Sequence, residues 1–283
     1  MAKIIVPGKY CPQRQRWEPL SDIELELSNP IDSRPSLTVA TFNIWFSDYY
    51  FEERCAATLG LLQEKRPDII VLQEVTPEFW EQVLRSPWIQ QEYQLSDIQG
   101  DSVNPYGVLI MSRVPICDWQ IVPLPSEMGR HLVLASSFLN HAMLTFASVH
   151  LESLDRAQTR SEQLTQIFSK LAPESHVIVA GDFNFCSSSE ENQQLDPSYQ
   201  DVWPLLHPAE PGFTEDTAIN TMRLLYKRKQ KQVRFDRMLL RSPSPGWQAD
   251  AIALLGTEPI SSATPYLFPS DHFGLMGTFS WRS

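Results

Sequence analysis

From Leu37 onward the chain is written in short apolar runs, either alternating with polar residues or continuous, and each is short enough to be a strand. The pattern predicts strands over 37–44, 69–72, 107–111, 132–138 and 143–149, then over 176–180, 235–240, 247–254 and 273–279. Apolar residues at helical spacing predict helices over 52–65, 77–85 and 156–171, the last with Asp155 as its N-cap. Residues 1–35 read differently. Pro12, Pro19, Pro30 and Pro35 punctuate them and only Ile23–Leu27 alternates, so they form an arm packed on or preceding a domain that fills 36–283. Many strands with few helices between them favour an α/β fold of two packed, mostly antiparallel sheets. A doubly wound parallel array would need a crossover after every strand.

Composition narrows this picture. The 283 residues are 42% hydrophobic and 20% charged, which excludes a disordered or fibrous chain, and 22 prolines against 11 glycines point to many loops. A formal charge of −11 means that any nucleic-acid contact must use a local basic patch. Four scattered cysteines read as reduced thiols, and no apolar run approaches the roughly 18 residues of a membrane helix. The expectation is a soluble protein of the cytoplasm or another reducing intracellular compartment, with no membrane partner.

The chemistry gathers where apolar strands end: Thr41-Phe-Asn43, Leu72-Gln-Glu74, Ser148-Val-His150-Leu-Glu-Ser153, Gly181-Asp182-Phe-Asn184 and Ser270-Asp271-His272, with Phe235-Asp236-Arg237 opening another strand. Asp182 and Asn184, two apart in an extended segment, point to one side as an activator and an orienter of water; the bland alternative is a turn that ends the strand. Glu74 with Asn43 nearby suffices for magnesium, which takes one or two protein carboxylates plus water and phosphate oxygens; taken alone, a strand-end glutamate is more often a solvated cap. His150 and His272 could face phosphate oxygens with Asp236 as an orienting carboxylate, or be satisfied structural histidines. The densest basic segment, Arg223–Arg234, contains Lys227, Arg228, Lys229 and Lys231 and leads into Asp236. It reads as a guide for single strands or 5′ ends, with Trp203, Tyr226 and Phe213 as stacking surfaces, or as a solvated loop.

Together these segments resemble the endonuclease/exonuclease/phosphatase superfamily over about 37–281. The likeness is carried by Leu72-Gln-Glu-Val75, His150-Leu-Glu-Ser153, Arg234-Phe-Asp-Arg237, Leu254-Leu-Gly256 and above all Phe268-Pro-Ser-Asp-His-Phe-Gly-Leu275. Within the superfamily the branch of 5′-tyrosyl-DNA phosphodiesterases is the most similar. The resemblance implies a DNase I-like four-layer α/β sandwich and a monomeric, magnesium-dependent phosphodiesterase, with manganese as the alternative ion. Its substrate would be a nucleic-acid end carrying a tyrosine or peptide adduct. It implies that Glu74 holds the metal with Asn43, that Asp182 orients the attacking water, and that Asn184 aids positioning. His272, paired with Asp236, would stabilise the phosphorane, while His150 and Ser153 contact the phosphate and Arg130 and Asp271 reach the substrate. Two segments depart from the family: Asn43-Ile-Trp45 lacks a second acid, for which Asp48 is a substitute, and Phe185-Cys-Ser187 lacks a basic residue. A phosphatase or phospholipid-head-group hydrolase of the same fold is the alternative function. A silent binding module is disfavoured, because packing alone does not demand polar residues at five strand ends.

Overall fold

The computed structural model describes residues 3–21 and 34–282, with Tyr226 and Lys227 described by backbone alone. Two sheets dominate. The larger runs, edge to edge, Gly246–Leu255, Gly274–Arg282, Ser36–Asn43, Ile69–Val75, Gly107–Ser112, Gln94–Leu95, Gly8–Cys11 and Arg16–Pro19. The smaller runs Gln200–Asp201, Asp236–Arg241, His176–Asp182, Ala142–His150, His131–Leu139 and Asp118–Pro123. A two-residue ladder, Glu215–Asp216 against Gln232–Val233, stands apart.

Alternation along each strand explains the layering. In Ser36–Asn43 one face, Leu37 and Val39, joins Phe146, Ile178 and Met238 of the other sheet in a core between the sheets. The opposite face, Ala40 and Phe42, packs under Cys55, Leu62 and Phe79 of the helices Phe51–Lys65 and Pro77–Arg85. Val177 and Val179 likewise turn outward onto Leu164, Ile167 and Leu171 of the helix Ala157–Leu171. The result is helix, sheet, sheet, helix: a four-layer α/β sandwich. Strands covered on both faces need continuous apolar runs, which is why 69–72 and 176–180 show little alternation.

Two pairings fix the functional edge. Ser36–Asn43 runs parallel to Ile69–Val75, and Ala142–His150 runs parallel to His176–Asp182, with His150 opposite Asp182. Their C-terminal ends therefore emerge together. The antiparallel neighbours Asp236–Arg241 and Gly274–Arg282 begin at the same edge, Asp236 opposite Asp182 and Leu275 opposite Thr41. Ends of one set of strands and starts of another thus place the polar clusters side by side.

The structure adds to some expectations and changes others. The first half of the N-terminal arm is a hairpin, Gly8–Cys11 with Arg16–Pro19, that extends the larger sheet through Gln94–Leu95. The strand expected over Ile23–Leu27 lies outside the described residues. The helix at 157 has Arg156, not Asp155, at its N-cap and no side-chain cap. Strand Asp118–Pro123 and the short helices Pro87–Glu92, Val202–Leu206 and Met222–Lys227 were not expected: the helices are too short for helical spacing to register, and the strand is an edge strand closed by a proline. Among the described residues, no helix is long and apolar enough to cross a membrane.

Candidate active site

Backbone irregularities aim the acidic groups. The ladder between Ile69–Val75 and Gly107–Ser112 slips between Leu72 and Val75, and Glu74 within that bulge has φ 59°. A bulge re-aims a side chain that regular pleating would bury or expose, and here Glu74 turns into a cleft of about 660 Å³. Its Oε2 accepts the Phe46 N–H at 2.9 Å. Gly181 supplies the second irregularity. It has φ 146°, and a Cβ there would lie 1.9 Å from the Val149 carbonyl oxygen, so only glycine lets the two parallel strands deliver Asp182 beside His150.

Asp182 is held from two sides. Asn43 Nδ2 donates to its Oδ2 at 3.0 Å, and the Asn184 N–H donates to its Oδ1 at 2.8 Å. The strand ends at Asp182 and Asn184 has φ 55°, so the extended spacing expected for this pair is replaced by a tight turn. Turn and cleft are not alternatives here, since both residues line the cleft. The Asn184 amide donates to the Leu151 carbonyl at 3.0 Å. Burial foremost, then the charge of Asp236, raises the Asp182 carboxyl to about 6.

The two histidines occupy opposite charge states. Arg130 Nη1 lies 3.0 Å from His150 Nδ1. A guanidinium can only donate, so Nδ1 accepts and the His150 proton sits on Nε2, 3.6 Å from Asp182 and 3.8 Å from Glu74. Burial and the Arg130 charge hold this imidazole neutral, well below its usual range. His272 faces carboxylates at both nitrogens, Asp236 Oδ2 at 2.8 Å from Nδ1 and Glu215 Oε1 at 3.2 Å from Nε2. Burial works against its charge, but Asp236 and Glu215 override it, and His272 is a buried imidazolium.

Three buried carboxylate oxygens, Asp236 Oδ1, Asp271 Oδ1 and Glu215 Oε2, find no hydrogen-bond partner among the described residues. Glu74 is raised to about 7, by burial first and then by the charge of Asp271. A carboxyl that holds its proton beside an unpartnered carboxylate oxygen is the situation a divalent cation relieves, so the donor set at Glu74 and Asp271 fits a hard metal ion. Asp182, Asp236 and His272 also bring one ligand atom each within 4.8 Å of one another. An imidazolium has no lone pair to give, which favours the Glu74 end. Asn43 has both amide ends engaged, Oδ1 with the Trp45 N–H at 3.0 Å, and serves first to fix Asp182.

This chemistry carries a proton signature. Because the folded Glu74 carboxyl is raised above its usual 4.5 to about 7, the metal-free protein gains stability from it as pH falls from 7 toward 4.5, whereas a cation requires the carboxylate. Titrating magnesium at pH 6 by calorimetry in two buffers of different ionisation enthalpy should show close to one proton released per ion. Affinity should weaken by up to about tenfold per pH unit below 7. A Glu74→Gln protein should release none.

The structure separates the other expected residues. Arg130, Ser153, Asp271, Lys229 and Lys231 line the cleft, Ser153 donating to Met128 Sδ at 3.1 Å. Asp271 is buried within that lining and ion-paired to Arg223 Nη1 at 2.9 Å. Trp203 is no stacking surface: it is 5% exposed in the core between the sheets, and its indole donates to the Glu210 carbonyl at 3.0 Å. Asp48 is exposed and does not line the cleft, so it does not replace the missing acid. Arg228 is exposed, and the Lys227 and Tyr226 side chains lie outside the described set. Sequence reasoning missed Glu215, whose neighbours Thr214 and Asp216 give no apolar run to flag it. It also missed the aromatic wall formed by Phe46 stacked on Tyr106 at 5.0 Å, with the Arg130 guanidinium 5.5 Å from the Tyr106 ring.

Comparison with known proteins adds an independent line. Residues 40–272 match the Endonuclease/Exonuclease/phosphatase family. The sequence is 31% identical over 253 residues to tyrosyl-DNA phosphodiesterase 2 of Xenopus laevis, covering 84% of this chain and 66% of that one. It is 30% identical over 235 residues to tyrosyl-DNA phosphodiesterase 2 of Homo sapiens, covering 79% and 62%. The chain thus spans just under two thirds of the length of these curated relatives. Among solved structures, D. rerio TDP2 complexed with single-strand DNA product matches with a TM-score of 0.75 and 27% identity, over 87% of this chain and 99% of that one.

Proposed function

The chain belongs to the Endonuclease/Exonuclease/phosphatase family, and we propose that within it the protein is a magnesium-dependent phosphodiesterase that removes a tyrosyl adduct from the 5′ end of a nucleic acid. The observation that carries this reading is the pairing of an imidazolium, His272 held by Asp236, with an oriented carboxylate, Asp182 held by Asn43 and Asn184, at the same cleft. The relatives named tyrosyl-DNA phosphodiesterase 2 and the DNA product in the D. rerio structure support the substrate class. Four free cysteines support a reducing compartment such as the cytoplasm.

The residues divide the reaction as follows. Glu74, with Asp271 beside it, would hold the ion, which when bound supplies Lewis-acid stabilisation of charge on the phosphate. The Asp182 carboxylate accepts a proton from the attacking water as its oxygen bonds to phosphorus. Negative charge grows on the nonbridging oxygens as the water oxygen bonds to phosphorus, and as the bond to the tyrosyl oxygen breaks its electron pair leaves with the phenolate. At the nonbridging oxygens, Nε2–H of neutral His150 and the charge of His272 oppose the growing charge. A phenolate leaves readily at neutral pH, so it makes little demand on a general acid. The aromatic wall of Phe46 and Tyr106 offers the ring a surface.

The deciding assay offers purified protein with magnesium a 5′-phosphotyrosyl oligonucleotide, an abasic duplex, a plain single strand and an inositol phosphate side by side. Preference for the tyrosyl oligonucleotide is expected; turnover of the inositol phosphate alone would overturn the assignment. Nucleic-acid guidance is assigned to Lys227, Arg228 and Lys229, while Lys231, whose ammonium in the free protein is paired with Glu215 at 3.0 Å, is kept unchanged in this test. Changing those three to serine should lower the slope of log Kobs against log salt for a single-stranded oligonucleotide by about 2. Fluorescence anisotropy measures this, and hydrolysis of a small aryl thymidine phosphodiester should stay as in the wild type.

A further inference from the structure

Glu215 stands where a substrate anion would be expected. Its side chain is 2% exposed, yet it belongs to the cleft lining. Oε1 alone lies 3.2 Å from His272 Nε2, 3.0 Å from Lys231 Nζ and 3.1 Å from Arg223 Nη1, which also donates to Asp271 Oδ2 at 2.9 Å, while Oε2 has no hydrogen-bond partner among the described residues. The three cations come from separate segments: the helix Met222–Lys227, the turn preceding Gln232–Val233, and the loop before Gly274–Arg282. Local bonds fix that turn, the Lys231 N–H donating to Thr217 Oγ1 at 2.8 Å and Lys231 Nζ lying 4.0 Å over the Phe235 ring. Three donors converging on one oxygen of a planar carboxylate, with the other oxygen idle, are poorly matched to that carboxylate. A tetrahedral phosphate could offer each donor an oxygen of its own.

We infer that His272, Arg223 and Lys231 form an anion subsite that Glu215 fills in the free protein and that a phosphate group of the substrate takes over by displacing it. The inference rests on the phosphoester reading of the cleft. In it Glu215 is a specificity-determining residue: every anion must compete with a tethered carboxylate, so a free phosphate held by nothing else is kept out. A phosphate anchored by the rest of its substrate succeeds.

The test needs no turnover. Inorganic phosphate is titrated into the metal-free full-length protein at constant ionic strength, with binding read by calorimetry. Glu215→Gln, which keeps the shape and removes the charge, should bind phosphate at least tenfold more tightly than the wild type. Adding Lys231→Met should erase that gain. Should Glu215→Gln not fold, Glu215→Asp keeps the charge but withdraws it by one methylene, and a gain of about threefold is expected. Phosphate affinity within twofold of the wild type in the folded variant, or a gain that survives Lys231→Met, would overturn the subsite. A protein that shows the tenfold gain yet hydrolyses no phosphoester keeps the subsite and overturns the proposed function.

Discussion

Asp182→Asn and His272→Ala should each lower kcat by about 10²–10⁴, a loss of about 3–5 kcal/mol of transition-state stabilisation, with KM changing far less. Asparagine at 182 cannot take the proton of the attacking water. Its amide also meets a donor on one side, since Asn43 Nδ2 and the Asn184 N–H both donate to the present carboxylate. One hydrogen bond is therefore lost, and a modest fall in Tm should accompany the kinetic loss. Alanine at 272 removes the imidazolium and leaves Asp236 and Glu215 facing each other without it. Breaking a buried ion pair destabilises by about 3–5 kcal/mol, so rates are compared at a temperature where both variants are folded. Initial rates across a range of substrate concentrations decide the outcome. A raised KM at unchanged kcat would make either residue a binding group rather than a catalytic one.

Glu74→Gln should abolish metal-dependent turnover while leaving the fold intact. A neutral amide of nearly the same size is a poor ligand for a hard divalent cation. Metal-free, the variant should melt at or slightly above the wild type at pH 8, because burial disfavours the charge that the substitution removes. Added magnesium should raise the wild-type Tm and leave the variant unmoved. Wild-type turnover by Glu74→Gln at limiting magnesium would place the ion elsewhere, with the Asp182, Asp236 and His272 set as the next candidate.

Much of this was legible because the strands are covered on both faces. Runs such as Ile69–Leu72 and His176–Ala180 needed little more than residue type, and the polar residues that close them had nowhere to go but an edge. What stayed hidden depended on contacts distant in sequence. Nothing near Trp203 tells that it is buried in the core between the sheets, in one cluster with Val39, Met238 and Ile252. Glu215 becomes significant only when the turn carrying Lys231, the helix carrying Arg223 and the loop carrying His272 meet on one oxygen. Charge counting along Arg223–Arg234 suggested one basic surface. The fold divides it into Arg223 and Lys231, turned inward, Arg234 paired with Asp201, and Arg228, left in solvent.

The position of Gly274–Arg282 in the larger sheet has a temporal meaning. This late strand lies between Gly246–Leu255 and Ser36–Asn43, one of the earliest, and His272 stands just ahead of it. While the chain is being synthesised, Asn43, Glu74, His150, Asp182 and Asp236 all leave the ribosome before the strand that must slot between its neighbours exists. The slow, non-local closure of the sheet and the completion of the site are then a single event. A nascent chain can carry nearly every polar group of the cleft while the cleft itself is still incomplete.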